Sequence, residues 1–185
     1  MKKNGRPRLP RNHPEPTPVV GARWVPLTQG LFALVDEADF EMLNGYAWCP
    51  LTTKGRPDNP SATTHIKGGA KMLMHRMIMA PADGLEVDHI NGNRLDNRRS
   101  NLRTCTTYQN NQNVRRKRSN TSGFKGVFRR NHGHADRWSA RIWANGCGRT
   151  LGVYDTPEQA HRAYVAAAAE LHGEFANSGD ANALV

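Results

Sequence analysis

Cysteine is scarce in this 185-residue chain: Cys49, Cys105 and Cys147 are three in number and far apart in sequence. An odd count at wide spacing supports neither a disulfide framework nor a zinc ribbon, so reduced thiols that serve as small packing or surface groups are expected. Long apolar runs are missing too. No stretch approaches the ~20 apolar residues that cross a bilayer, and MKKNGRPRLPRNHPEPTP at the start contains no apolar core of the kind a secretory signal requires. A cytoplasmic location with no membrane partner is the expectation. Negative charge is the third shortage: 16 Asp and Glu face 26 Lys and Arg, giving a formal charge of +10 and an isoelectric point near 10.1. That balance disfavours basic partners and favours a polyanion, and with the membrane set aside nucleic acid remains.

The length suits one modest domain or two small ones, and the charge is unevenly spread. Residues 1–18 carry five basic side chains, several prolines and almost nothing apolar, which reads as a disordered basic arm. Its NGRPR stretch, with Arg6 and Arg8, suits loose attraction to phosphates better than insertion into a minor groove. Between Trp24 and Met79 the basic excess disappears. RWVPL and LFALV alternate as two short strands, and DEADFEMLNGYAW spaces Phe40, Leu43 and Trp48 as a helix and turn with Gly45 near the stop. After a polar loop containing Gly and Pro, ATTHI and KMLM read as strands and HRMIM as an apolar turn or helix. QNVRRKRSNTSGFKGVFRR then holds seven basic residues and no acidic one, which marks a linker. Beyond it a first strand, FKGVFRR, precedes RWSARIWA and RTLGVY, two strands joined by the hairpin dipeptide Asn145-Gly146. Thr156-Pro157-Glu158 opens a helix that runs through an alanine-rich segment to Gly173.

One segment combines residues suited to chemistry. In LEVDHINGNRLDNRRSNLRTCTTYQNNQN, residues 85–113, a short apolar strand ends in Asp88 and His89, and Asn91-Gly92 turns the chain back. Adjacent strand residues point to opposite faces, so the two can do different work from one rigid point. A carboxylate is a hard oxygen ligand, and an imidazole with an ordinary pKa near 6.5 can take a proton from water at neutral pH. NLRTC reads as a return strand, and Thr106 or Thr107 can cap a short helix that carries Asn110. Singly, each of these residues has a duller explanation: a turn cap, a self-satisfied Asn, a helix surface. Their order and spacing inside so basic a chain favour catalysis.

The arrangement resembles the HNH nucleases, in particular phage homing endonucleases in which asparagine replaces the last histidine. The resemblance is tight over His75–Asn113, with MHRMIM fitting the approach to the Asp-His pair. It implies a ββα-metal core with His89 as general base, Asp88 as metal ligand and Asn101 as the residue that orients the loop and the histidine. Asn110 would be the second metal ligand, with Asn111 and Asn113 as neighbouring candidates. One divalent cation, Mg²⁺ or Mn²⁺, is implied as cofactor, weakly held because only one carboxylate would bind it. Arg76, Arg98 and Arg99, with Arg94, cluster about the motif and suit phosphate neutralisation; His75 is read as packing under the site.

Residues 120–177 resemble the Apetala/ethylene-response-factor (ERF) type DNA-binding domain through SGFKGV, RWSARI, LGVYDTPEQAHRAY and HGEFAN. The resemblance implies a three-stranded sheet lying in the major groove with a helix behind it. Strand alternation then turns Trp138, Ala140 and Ile142 toward the helix and Ser139, Arg141 and Trp143 toward DNA, with Lys125, Arg130 and Thr150 also outward. Arg130 and Arg141 suit base reading, and Phe128 and His132 depart from the plant pattern. Ala160, Ala163, Tyr164 and Ala167 should only pack.

The expectation is thus an α+β protein with an HNH nuclease core followed by a small three-stranded antiparallel sheet on one helix. Its expected parts are a basic arm at 1–18, a nuclease domain at 19–113, a basic linker at 114–119 with Arg115, Arg116, Lys117 and Arg118 on DNA, the ERF-type domain at 120–177 and a tail at 178–185. It would be a monomer that nicks double-stranded DNA in a bacterial host, encoded by a phage or prophage. The rivals are a non-catalytic DNA-binding regulator, which would bind equally well in chelator, and an RNA-directed protein. The second is disfavoured because the sheet lacks paired exposed aromatics on which unpaired bases stack.

Overall fold

The computed structural model describes residues 16–53, 56–114, 116, 119–130 and 137–179. Most of the basic arm with Arg6 and Arg8, the linker residues Arg115, Lys117 and Arg118, His132, and the last six residues lie outside that set. The chain divides into two compact units, up to Thr106 and from Thr107, and mixes helix with sheet as an α+β protein does.

In the first unit, β1 (Ala22–Pro26) and β2 (Phe32–Asp36) form an antiparallel pair with Trp24 opposite Leu34. Helix α1 (Glu37–Asn44) follows, acidic in its first turn, which suits the helix dipole. It buries Phe40 and Leu43, and the Trp48 indole N–H donates to the Leu43 carbonyl at 2.8 Å. A second sheet has the order β3 (Cys49–Thr53), β4 (Arg56–His65), β5 (Lys71–Leu73). Strand β4 begins well before ATTHI and includes Pro57 and Pro60, where a loop was expected. Proline is tolerated there because β5 pairs only with Thr63–His65, leaving the first half of β4 as an edge. Helix α2 (Met74–Met79) then buries Met74, His75 and Ile78 and stops at Ala80, in left-handed geometry ahead of Pro81.

The last pair of this unit is antiparallel, β6 (Glu86–His89) with β7 (Leu102–Cys105). One core joins all of these elements through Val25, Val35, Leu43, Trp48, Met74, Ile78, Val87 and Leu102. Strand β2 is buried on consecutive residues, Ala33, Leu34 and Val35, instead of alternately. Its second face is covered by the loop between β6 and β7: the Leu34 N–H donates to Leu95 at 2.8 Å, and the Asn97 N–H donates to Leu34 at 2.7 Å.

The second unit starts with α3 (Thr107–Gln112), then a three-stranded antiparallel sheet ordered β10 (Cys147–Tyr154), β9 (Arg137–Ala144), β8 (Val127–Arg130), and helix α4 (Pro157–His172). Asn145 and Gly146 both take positive φ, as a two-residue hairpin requires. Thr156 caps α4 by accepting from the Gln159 N–H at 3.2 Å, with Pro157 in the first turn. Ala160, Tyr164 and Ala168, four residues apart, bury one stripe of α4 against Val127, Ala140 and Ile142, while Ala163 and Ala167 pack at its border.

The contacts divide before α3, at Thr106/Thr107, whereas the nuclease domain was expected to run to Asn113; within the second unit the Tyr108 hydroxyl accepts from the Asn145 N–H, and the Asn177 amide donates to the Asn113 carbonyl at 3.0 Å. One expectation needs correction. Lys125 does not look outward from a strand. Strand β8 begins only at Val127, and Lys125 turns inward, donating to the carbonyls of Gln112 at 2.9 Å and Asn177 at 3.0 Å. Burial pulls its ammonium down to about 8.

Candidate active site

Strand β6 delivers Asp88 and His89 to the interior, 7% and 6% exposed. Register places Asp88 opposite Arg103 and His89 opposite Leu102. Arg103 grips Asp88 through Nε at 3.0 Å and Nη2 at 2.8 Å, both on Oδ2. The His89 ring is held by Asn97, whose Oδ1 lies 3.2 Å from Nε2. Burial lowers the His89 pKa below 6.5, against the opposing pull of Asn97 and Asp88, so the imidazole is neutral at neutral pH and able to accept a proton. His75, from α2, meets His89 edge to face with ring centres 5.0 Å apart. Its Nδ1 is buried with no hydrogen-bond partner among the described residues. Burial, then the charges of His89, Arg76 and Arg94, push His75 down to about 3.

Asn101 fastens the loop at its return. Its Oδ1 accepts from the Asn91 N–H at 3.0 Å, its Nδ2 donates to the Asp96 carbonyl at 2.7 Å, and its own carbonyl accepts from the Ile90 N–H at 2.9 Å. Asn59 clamps the outer bend from β4, donating to Gly92 at 2.8 Å and accepting from the Arg94 N–H at 3.1 Å. Asn97 is therefore the asparagine that bonds His89, while Asn101 holds backbone. Asn110 is half-buried on α3, which clusters with the C-terminal unit.

The basic residues divide by what they touch. Arg98 forks onto Asp96 at 2.8 and 2.7 Å, and Arg99 forks onto Asp39 at 2.9 and 2.8 Å with a further bond to the Ile78 carbonyl. Arg76 donates to the Leu85 carbonyl at 3.0 Å. These three brace the loop and its supports. Arg116 is exposed and donates to the Asn120 carbonyl at 3.4 Å. On the second unit, Arg130, Arg141, Trp143 and Thr150 share the sheet face turned away from α4. Arg141 donates to the Thr150 hydroxyl at 3.4 Å, and Trp143 is 64% exposed. Phe128, Arg130, Ser139, Arg141 and Thr150 line a shallow cavity of about 270 Å³ on this face. Phe128 and Trp143 are thus both exposed there, but their cross-strand neighbours are Ser139 and Gly148, so they do not form a pair.

Sequence reasoning missed Arg103, Asn97 and Asn59. Pairing NLRTC against LEVDH would have set Arg103 opposite Asp88, whereas nothing local separates Asn97 and Asn59 from the chain's other asparagines.

A neutral imidazole next in sequence to a buried carboxylate, at the mouth of a loop fastened by asparagines, can accept a proton as hydrolysis requires. Comparison with known proteins agrees. Residues 79–112 match the family model described as HNH endonuclease. The chain is 34% identical over 155 residues to an "Uncharacterized HNH endonuclease L560" of Acanthamoeba polyphaga mimivirus, covering 80% of this chain and 74% of the relative. It is 33% identical over 93 residues to "Protein 3.8" of Escherichia phage T7, covering 50% of this chain and 74% of that protein. No solved structure matches. The chain belongs to the HNH endonuclease family, and it is a nuclease whose family acts on DNA.

HNH nucleases generally use a divalent metal ion. The donors here suit a hard cation: Asp88 offers a carboxylate, and the neighbouring Cys105 thiol is pushed up to about 11 by burial and then by Asp88 and Glu86, which keeps it from acting as a soft thiolate ligand. Among the described residues no three His, Cys, Asp or Glu side chains gather into a metal-binding group. No helix among the described residues is long and apolar enough to cross a membrane.

Proposed function

We propose that the protein is a homing-type endonuclease that nicks double-stranded DNA, with Mg²⁺ or Mn²⁺ as its cation, at a site chosen by its C-terminal unit acting as an ERF-type reader. The observation that carries the reading is the neutral, buried His89 next to Asp88. In this reading His89 takes the proton of a water that attacks the scissile phosphorus. Asn97 holds the ring, and Asn101 holds the loop that frames it. Asp88 would hold the cation through its carboxylate. When bound, that cation supplies electrostatic stabilisation of the charge that develops on the phosphate and the departing 3′ oxygen. One such centre cuts one strand per encounter, so a nick from a monomer is the expected product. The viral relatives fit a phage-encoded protein.

The test incubates the protein and His89→Ala with supercoiled phage or host DNA, with Mg²⁺ or with chelator. Expected are nicked circles from the wild type with Mg²⁺ only, and a rate lowered by about 10²–10⁴-fold in the variant, the usual worth of a general base. Equal binding in chelator with no cutting of any DNA by either protein would point to a regulator.

A further inference from the structure

The chemistry above uses Asp88 and His89 and leaves Arg103 without a role. Yet the side chains of the Arg103–Asp88 ion pair are only 12% and 8% exposed. In the neighbouring pairs Arg98–Asp96 and Arg99–Asp39 the arginine is 35% and 53% exposed. Arg103 stands directly opposite Asp88 in the β6–β7 register, and its Nε and Nη2 bond the same oxygen, Oδ2. Leu102 and Cys105 on β7 are buried, so the strand that carries Arg103 is anchored. A carboxylate this enclosed is costly unless a positive charge stands beside it. A divalent cation on the same carboxylate would meet that fixed charge at short range, in surroundings that screen it less than water does.

We infer that Arg103 is the resident counter-ion of Asp88. It holds the carboxylate in place in the cation-free protein, and it sets the affinity for a divalent cation low. It is a positioning residue, and the inference rests on the reading of Asp88 as a cation ligand. Without Arg103, the carboxylate loses the buried positive charge that a cation on it would otherwise meet. Affinity should then rise while the cation-free protein loses stability.

The test is binding of Mn²⁺ alone to the full chain, by calorimetry and by loss of the free-ion electron spin resonance signal, with the melting temperature recorded with and without Mn²⁺. Arg103→Gln should bind on the order of tenfold more tightly than wild type and gain more in melting temperature on Mn²⁺ addition. Arg103→Lys keeps the charge and should stay within about threefold. Asp88→Asn should lose the binding. If Arg103→Gln binds no more tightly than wild type while Asp88→Asn is silent, the counter-ion role is wrong and Asp88 remains a ligand. If Asp88→Asn binds as wild type does, the ligand reading fails and the inference with it. Should Arg103→Gln not fold, Arg103→Lys decides. An affinity within about threefold supports a charge effect, and any larger shift, in either direction, assigns the effect to the guanidinium fork and overturns the inference.

Discussion

His75 and His89 are two imidazoles in ring contact, and the buried environment they share keeps both neutral. For His75 the consequence is thermodynamic. Its folded pKa, about 3, lies below the 6.5 of an unfolded chain, so the unfolded state binds the extra proton and stability falls as pH drops from 6.5 toward 3. At pH 5 the loss is about 2 kcal/mol, from 1.36 kcal/mol per pH unit. Urea unfolding at pH 7 and pH 5 checks this: His75→Phe, which fills the same space without titrating, should lose about 2 kcal/mol less than wild type over that interval. Equal losses would mean that His75 is not held neutral. For His89 the consequence is kinetic. Burial places its pKa below 6.5, and only the neutral ring can accept a proton. Single-turnover cleavage should therefore stay level down to pH 6.5 and decline at lower pH. A decline that is already complete at pH 7 would assign the base to another group.

At the scale of elements, what the sequence made legible and what it hid divide by distance along the chain. Period-two alternation located β1, β9 and β10, and Thr156-Pro157 located the start of α4, because each signal lies within a few neighbouring residues. The Asp-His strand and its return were readable for the same reason. The supports of the loop were not. Asn59 reaches Gly92 and Arg94 across 33 and 35 residues, and Arg99 reaches Asp36 and Asp39 across 63 and 60; local pattern carries no trace of such pairings. A basic cluster in sequence does not show the acidic partners, Asp96 and Asp39, that the fold brings to Arg98 and Arg99. Lys125 was misplaced because Gly126 ends the turn before β8 and reverses the side-chain direction on which alternation relies. Gly126 has φ +74°, and a Cβ there would lie 2.1 Å from Tyr164 Cδ2 and 2.8 Å from the Arg141 carbonyl. Gly126→Ala combines forbidden backbone geometry with overpacking against α4, so it should destabilise the C-terminal unit by at least ~2 kcal/mol. Hydrogen exchange resolves the effect by segment: protection should drop in β8, β9 and α4 and persist in β6 and β7. Unchanged protection in β9 would show that Tyr164 moves aside at little cost.

For the molecule as a whole, the question is whether cutting and choosing the site are done by different units. The net charge of +10 makes any DNA affinity fall steeply with salt, with about 0.9 in the logarithmic slope for each phosphate contact. A salt slope alone therefore cannot tell a reader from a generally basic surface. Arg141 offers a sharper test, since it stands exposed on the outward sheet face beside Thr150 and shares a cavity with Phe128 and Arg130. If that face reads bases, Arg141→Ala should cost about 1–3 kcal/mol of affinity for the preferred site and relax the preference there, with little change in the salt slope. At saturating protein its single-turnover cleavage rate should equal wild type, because the proposed base His89 and the proposed cation ligand Asp88 are untouched. The opposite pattern, unchanged site preference with a slope reduced by about 0.9, would make Arg141 a phosphate contact and place site choice elsewhere. Measured on one DNA carrying the preferred site and one lacking it, affinity and rate together decide between the two.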